Sequence, residues 1–197
     1  MKNFWNERYS KEAYAYGIIP NQFFKNEIKA LPPGKLLLPA EGEGRNAVFA
    51  ASIGWDVTAF DFSESALQKA EKLAKEKGVK INYFLSDFEK AQFENEYFDC
   101  ISLTFVHPPA DKRQFFHKAL IKHLKNGGKI ILEGFSKKQI NRSSGGPKNI
   151  EMLFSTEEII NDFSELMSHK ITEEDVILKE GLFHNGLASV IRFTGQK

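Results

Sequence analysis

Apolar and polar positions along this chain fall into two alternating periods. Leu36-Leu37-Leu38 is a continuous apolar run that breaks into Pro39-Ala40-Glu41-Gly42-Glu43-Gly44; Ala47, Val48, Ala50, Ala51 and Ile53 then recur at helical spacing and stop at Gly54. Residues 55–61 are β-branched and aromatic and read as a second strand ending in Asp61. Ser63 is placed to cap a helix whose apolar face is Ala66, Leu67, Ala70, Leu73 and Ala74, with Glu64 in the first turn and Gly78 as its stop. A third strand is predicted over 80–85. Residues 97–106, apolar nearly throughout, suit a central parallel strand. A helix over 111–124 and a turn at Asn126-Gly127-Gly128 lead to a fifth strand at 129–135. Strand and helix alternate through five units, the signature of a doubly wound parallel α/β sheet with helices on both faces.

The two ends differ from this core. Phe23, Phe24, Ile28 and Leu31 have a helical period that Pro32-Pro33-Gly34 stops. Before them, Phe4, Trp5, Tyr9, Tyr14 and Tyr16 stand among charges; they either pack on the sheet or, with Trp5 and Tyr16 around Gly17, cover a ligand as a lid. Past the fifth strand, residues 137–150 are irregular and contain Arg142-Ser143-Ser144-Gly145-Gly146-Pro147-Lys148, a substrate loop or a plain surface loop. Ser155-Thr156-Glu157-Glu158 is a capping box that starts a helix running to Leu166. Strands at 170–179 and 187–193 are joined by so short a connection that they must be antiparallel. One domain is expected, with a cap at 1–33, a cofactor-binding core at 34–135, and a substrate loop, helix and hairpin at 136–197.

Composition narrows the partners. Lys and Arg number 27 against 26 Asp and Glu, a net charge of +1 without the basic excess that duplex nucleic acid requires. Cys100 is the single cysteine and lies in the apolar fourth strand, so no internal disulfide forms. The first residues hold no apolar signal core, and no apolar run approaches the roughly 20 residues that cross a bilayer. A cytoplasmic protein with a small-molecule partner, no membrane contact and a monomeric or homodimeric state is expected.

The chemistry gathers at strand ends. Gly42, Gly44 and Ala47 satisfy G-x-G-x-x-G/A, a turn where backbone and a helix N-terminus approach a ligand, but this alone does not choose between nicotinamide and other adenosine cofactors. Asp61 follows Gly44 by seventeen positions, near the roughly 20 expected of an acid that accepts from a ribose. Asp87 and Phe88, beyond the third strand, suit an adenine edge or an ordinary turn. His107 stands at the carboxyl end of the fourth strand as a base, a substrate contact or a structural histidine. No tyrosine has Lys four residues later, as a nicotinamide reductase of the short-chain kind needs, no residues remain for the second catalytic domain of a larger dehydrogenase, and no G-x-x-x-x-G-K-[ST] phosphate loop is present.

Five β/α units finishing in an antiparallel hairpin resemble the class I S-adenosylmethionine-dependent methyltransferases. The segments Phe4-Trp5-Asn6-Glu7-Arg8-Tyr9, Tyr14-Ala15-Tyr16-Gly17, Pro20-Asn21, Ala40 through Ala47, Ser144-Gly145-Gly146-Pro147-Lys148 and Glu180 through Gly186 are similar to the small bacterial tellurite-resistance and thiopurine S-methyltransferase-like group. The resemblance implies a Rossmann-like, seven-stranded, mostly parallel sheet with an antiparallel C-terminal strand. It implies S-adenosylmethionine as cofactor, S-adenosylhomocysteine as product and no metal. Ala40, Glu41, Gly42 and Gly44 would lie beside the methionine part, Asp61 would hold the ribose hydroxyls with Phe62 beside the adenine, Asp87 and Phe88 would meet the adenine edge, and Trp5 would close over it. His107, Arg142 and His184 would line the substrate site, and the acceptor would be a small molecule such as a thiol or a chalcogen oxyanion. No catalytic residue is assigned. A cofactor-binding protein without transferase activity and a nicotinamide-dependent oxidoreductase are the alternatives. Two positions depart from the family pattern: Leu38 stands where most members have an acid and Ala40 where most have glycine, so Glu41 becomes the substitute for holding the cofactor's amino-acid end. The His107-Pro108-Pro109 sequence replaces the Asn-Pro-Pro-Tyr of amino-directed nucleic-acid enzymes.

Overall fold

Side chains of the central strands divide strictly between two cores. In the computed structural model, which describes residues 2–197, β1 (Lys35–Pro39) sends Leu36 and Leu38 to one face and Leu37 to the other. β2 (Asp56–Asp61) does the same with Val57 and Ala59 against Phe60, and β4 (Phe98–Thr104) with Cys100 against Ile101 and Leu103. Strands buried on both faces need apolar residues at every position, which is why these segments read as runs and not as alternations. The first face is covered by α2 (Gln22–Lys29) and α3 (Arg45–Ser52) through Phe24, Ile28, Ala47 and Ala50, with α4 (Glu64–Glu76) beside them. The second is covered by α5 (Ala110–His123) and α6 (Thr156–Asp162) through Leu120, Ile121 and Ile159.

With β3 (Asn82–Leu85), β5 (Leu124–Phe135), β6 (Ser168–Glu180) and β7 (His184–Gln196), the strands form one seven-stranded sheet in the order β3-β2-β1-β4-β5-β7-β6. β1 to β5 are parallel, and β7 runs antiparallel to both β5 and β6. The expected architecture holds, and its reversal of strand order between β1 and β4 marks the crevice where open α/β sheets bind ligands, outside the carboxyl ends of these strands.

Several expectations change in detail. The regular strand-helix alternation fails between β3 and β4, where no helix forms; Phe88 stacks on Phe116 and Phe93 packs edge-on to Phe98, so aromatic anchors supply the cover that a crossover helix would bring. β5 begins at Leu124, which pairs with Phe98, and Gly127 with φ +81° bends the strand instead of preceding it. The capping box at Ser155 and Glu158 is formed, but α6 ends at Asp162, and Phe163 and Leu166 reach the core from the turn that follows. The terminal hairpin is longer than expected, pairing from Ser168 with Gln196 to Glu180 with His184. At the other end, α1 (Lys2–Tyr9) packs on α4 and not on the sheet. Cys100 is fully buried. Among the described residues, no helix is long and apolar enough to cross a membrane.

Candidate functional site

The crevice is built from β1 outward. Past Pro39 the backbone enters the left-handed region at Ala40 (φ +49°), Gly42 (+67°) and Gly44 (+85°) before α3 begins. The glycine pattern therefore has two causes. Each carries a φ that L side chains avoid, and a Cβ on Gly44 would stand 2.6 Å from Cβ of Ala70, because the start of α3 is laid directly on α4. Ala40 occupies the same kind of conformation with a methyl group, which explains why glycine is the common choice there.

Two carboxylates face this turn without an ion pair, Arg45 acting on Glu41 only through space. Asp61, at the end of β2 and 5% exposed, accepts from the Gly42 N–H (3.2 Å) and the Ser63 N–H (2.9 Å). Burial outweighs these bonds and raises its carboxyl to about 6. Glu41 turns back onto the helix: its Oε1 accepts from the Asn46 and Ala47 N–H groups, both at 2.9 Å, and burial raises it to about 7. That is a cap on α3, which leaves the substitute role expected of Glu41 at the cofactor's amino-acid end without support from its orientation. Ser63 caps α4 as expected, freeing Asp61 from that task.

The N-terminal segment roofs the turn. A Cβ on Gly42 would lie 2.9 Å from the Tyr9 hydroxyl, Trp5 stacks on Tyr9 with ring centres 5.4 Å apart, and the Tyr83 hydroxyl donates to the Gly42 carbonyl at 2.7 Å. This roof is clasped by the tip of the β6–β7 hairpin. Leu182 N–H and Phe183 N–H donate to the Ala15 carbonyl, and Gly181 passes so near that an added Cβ would stand 2.6 Å from both Ala15 O and Gly17 N.

Beneath the clasp lies a charge network. Arg45 donates to Glu180 at 2.7 Å and to the Tyr16 carbonyl; Asn21, the N-cap of α2, gives one Nδ2 hydrogen to Glu133 and the other to Glu180; Glu133 also pairs with Arg192. Burial would raise Glu180, but His184 and Arg45 together hold it down at about 2. Asn21, Glu133, Glu180 and Arg192 border a cavity of about 520 Å³ whose remaining wall includes Ile18, Ile19, Val176 and Ile177.

The residues singled out from the sequence divide accordingly. Trp5, Ala40, Glu41, Gly42, Gly44 and Asp61 are brought together. Phe62 is half-buried beside Asp61. Asp87 uses Oδ1 to accept from Glu89 N–H and Lys90 N–H, a turn of its own, and Phe88 points its ring at Phe116 and Phe60. His107 is enclosed with both nitrogens engaged, Nδ1 to the Met152 carbonyl and Nε2 accepting from Phe135 N–H, and burial pushes it down to about 4; it ties the loop after β5 to the end of β4. Arg142 pairs with Asp175 on β6. His184 alone of the three substrate candidates reaches the clasp, its ring 4.3 Å from that of Tyr16 and 4.4 Å from that of Phe105. Its buried Nδ1 lies 3.6 Å from Glu180 without a hydrogen-bond partner, and burial holds the ring below its ordinary value. Tyr9, Tyr83, Asn21, Arg45 and Glu180 escaped assignment from sequence, since aromatic and charged residues in strands and caps carry no spacing signal.

Residues 39–128 match the family model described as a methyltransferase domain. The ubiquinone biosynthesis O-methyltransferase of Rickettsia conorii is 36% identical over 91 residues, covering 46% of this chain and 31% of that protein. The chain thus spans about a third of the length of that curated relative. Among solved structures, one from echinomycin biosynthesis, concerned with conversion of a disulfide bond into a thioacetal group, superposes with a TM-score of 0.75 at 16% identity over 98% of this chain and 89% of that one. TehB of Haemophilus influenzae superposes with a TM-score of 0.69 at 17% identity over 100% of this chain and 66% of that one. At such identities the superpositions speak for the fold. Residues 39–128 are thus similar to a methyltransferase domain, and the strand order and the superpositions agree on the fold of these structures.

Proposed function

We propose that the chain binds S-adenosylmethionine over the Ala40–Gly44 turn and transfers its methyl group to a small molecule. The observation that carries this reading is Asp61: a buried carboxylate at the end of β2, aimed at the glycine turn by two N–H groups and left without a cation, fits a pair of ribose hydroxyl donors. Trp5 closes the roof over the nucleoside, and Phe62 flanks the adenine. The amides around Asp87 and Phe88 border the adenine edge, while their side chains do structural work. When bound, the sulfonium supplies the methyl group for in-line displacement; the chain contributes alignment and exclusion of water through its aromatic roof.

The acceptor enters from the side of β5, β7 and β6, where His184, Tyr16 and the cavity bordered by Glu133 and Glu180 lie. A near-neutral chain favours a small molecule over nucleic acid, and a cytoplasmic monomer or homodimer belongs to the same reading. Thiols and chalcogen oxyanions follow from the tellurite-resistance and thiopurine likeness, and a hydroxyl acceptor joins them because the Rickettsia relative is named an O-methyltransferase. Calorimetry tests the cofactor: saturable binding of S-adenosylhomocysteine with none of NADH supports the reading, and the reverse result overturns it. Methyl transfer from labelled cofactor to this panel then separates an enzyme from a binding protein without transferase activity.

A further inference from the structure

The chain has five arginines, and four of them are paired with carboxylates: Arg45 with Glu180, Arg113 with Asp162, Arg142 with Asp175 and Arg192 with Glu133. Arg8 has no carboxylate partner among the described residues. It is nonetheless held firmly. Its guanidinium lies 4.5 Å from the ring centre of Phe4 and 4.2 Å from that of Phe183, and Nη1 donates to the Tyr16 hydroxyl at 2.9 Å. Stacking between rings fixes a flat guanidinium while leaving its edge donors open, and a planar fork of donors matches a carboxylate.

Its place in the fold is equally specific. The next residue, Tyr9, lies against Gly42 of the cofactor turn, and the Tyr16 ring that Arg8 bonds packs on His184. Phe183, one side of the sandwich, belongs to the hairpin tip that clasps Ala15. Arg8 is therefore positioned jointly by both covering elements, at the junction of cofactor turn and clasp. Leu38, Ala40 and Glu41 supply no group there for an anion: the first two are apolar, and the third is a carboxylate spent on α3.

We propose that Arg8 is the carboxylate-binding residue of this site, taking the α-carboxylate of the cofactor or an acid group on the acceptor. The inference rests on the methyltransferase reading. Calorimetry of wild type and Arg8→Met with S-adenosylhomocysteine and with 5′-methylthioadenosine, the same nucleoside without the amino-acid end, tests it. For the cofactor source, Arg8→Met weakens S-adenosylhomocysteine about 10- to 100-fold and leaves methylthioadenosine within about twofold. For the acceptor source, both nucleosides keep their affinity, while benzoate binding, measured with and without saturating S-adenosylhomocysteine, is lost in Arg8→Met and benzamide binding is unchanged. Equal loss of both nucleosides means that Arg8 only anchors α1, and overturns the proposal. So does a variant that matches wild type toward every probe. A wild-type protein that binds neither nucleoside overturns the methyltransferase reading, and Arg8 is then judged by the benzoate arm alone.

Discussion

The two sides of the crevice treat charge in opposite ways. On the side of the glycine turn, the buried Asp61 and the half-buried Glu41 accept backbone N–H groups, form no ion pair and stand above their ordinary values. Under the clasp, Glu133 and Glu180 are enclosed as well, yet each meets an arginine. Full pairing serves rigidity, because a buried ion with all its partners present has nothing left to recruit. Unmet hydrogen-bonding capacity, by contrast, is held ready for a ligand. Arg8 is the exception on the clasp side, held by rings and the Tyr16 hydroxyl with no carboxylate partner among the described residues.

Breaking the paired side should have the largest effect. Arg192→Met leaves Glu133, 2% exposed, without its cation and should cost about 3–5 kcal/mol in urea denaturation; adding Glu133→Gln should recover most of that. A small loss would mean that the pairing does not sustain the clasp. Next, Gly44→Ala combines a left-handed φ with overlap on Ala70 and should cost roughly 2–4 kcal/mol, read from the denaturation midpoint. Asp61→Ala should cost little stability but weaken S-adenosylhomocysteine by about 1–3 kcal/mol, and unchanged affinity in the folded variant would remove Asp61 from the site. Gly181→Ala should cost about 1–3 kcal/mol and speed amide exchange at Leu182 and Phe183, whose N–H groups meet Ala15, before it affects the sheet.

The smallest effect is one of pH. Asp61 sits near 6 when folded against an ordinary 3.8, so its ionisation opposes folding: the ligand-free protein should lose stability as pH rises from about 4 to about 6. Ribose hydroxyls need the ionised acceptor, so S-adenosylhomocysteine should bind about three- to fivefold more weakly at pH 5.5 than at 7.5. Glu41 titrates close by, at about 7, and Asp61→Asn separates the two: whatever pH dependence survives in that variant does not belong to Asp61.

Much of this was legible in the chain. Apolar runs in β1, β2 and β4 report burial on both faces, and the pairing of Ser63 with Glu64 left Asp61 free because a hydroxyl cap serves α4 better. His107 and Phe88 were not legible in the same way. A histidine or an aromatic at a strand end looks alike whether it meets a ligand or a loop, and only the Met152 carbonyl and the Phe116 ring tell them apart.

By itself, the sequence determined the parallel sheet, the glycine turn, the acid that follows β2 and the closing hairpin, since each depends on spacing between neighbours in the chain. Tertiary structure alone decided which charges are satisfied. Arg45 meets Glu180 across 135 positions and Asn21 meets Glu133 across 112, and contacts over such separations leave no local pattern. Whether a charge in the fold is paired or left open is a property of the folded neighbourhood, as Asp61 and Arg8 show against Glu133 and Glu180.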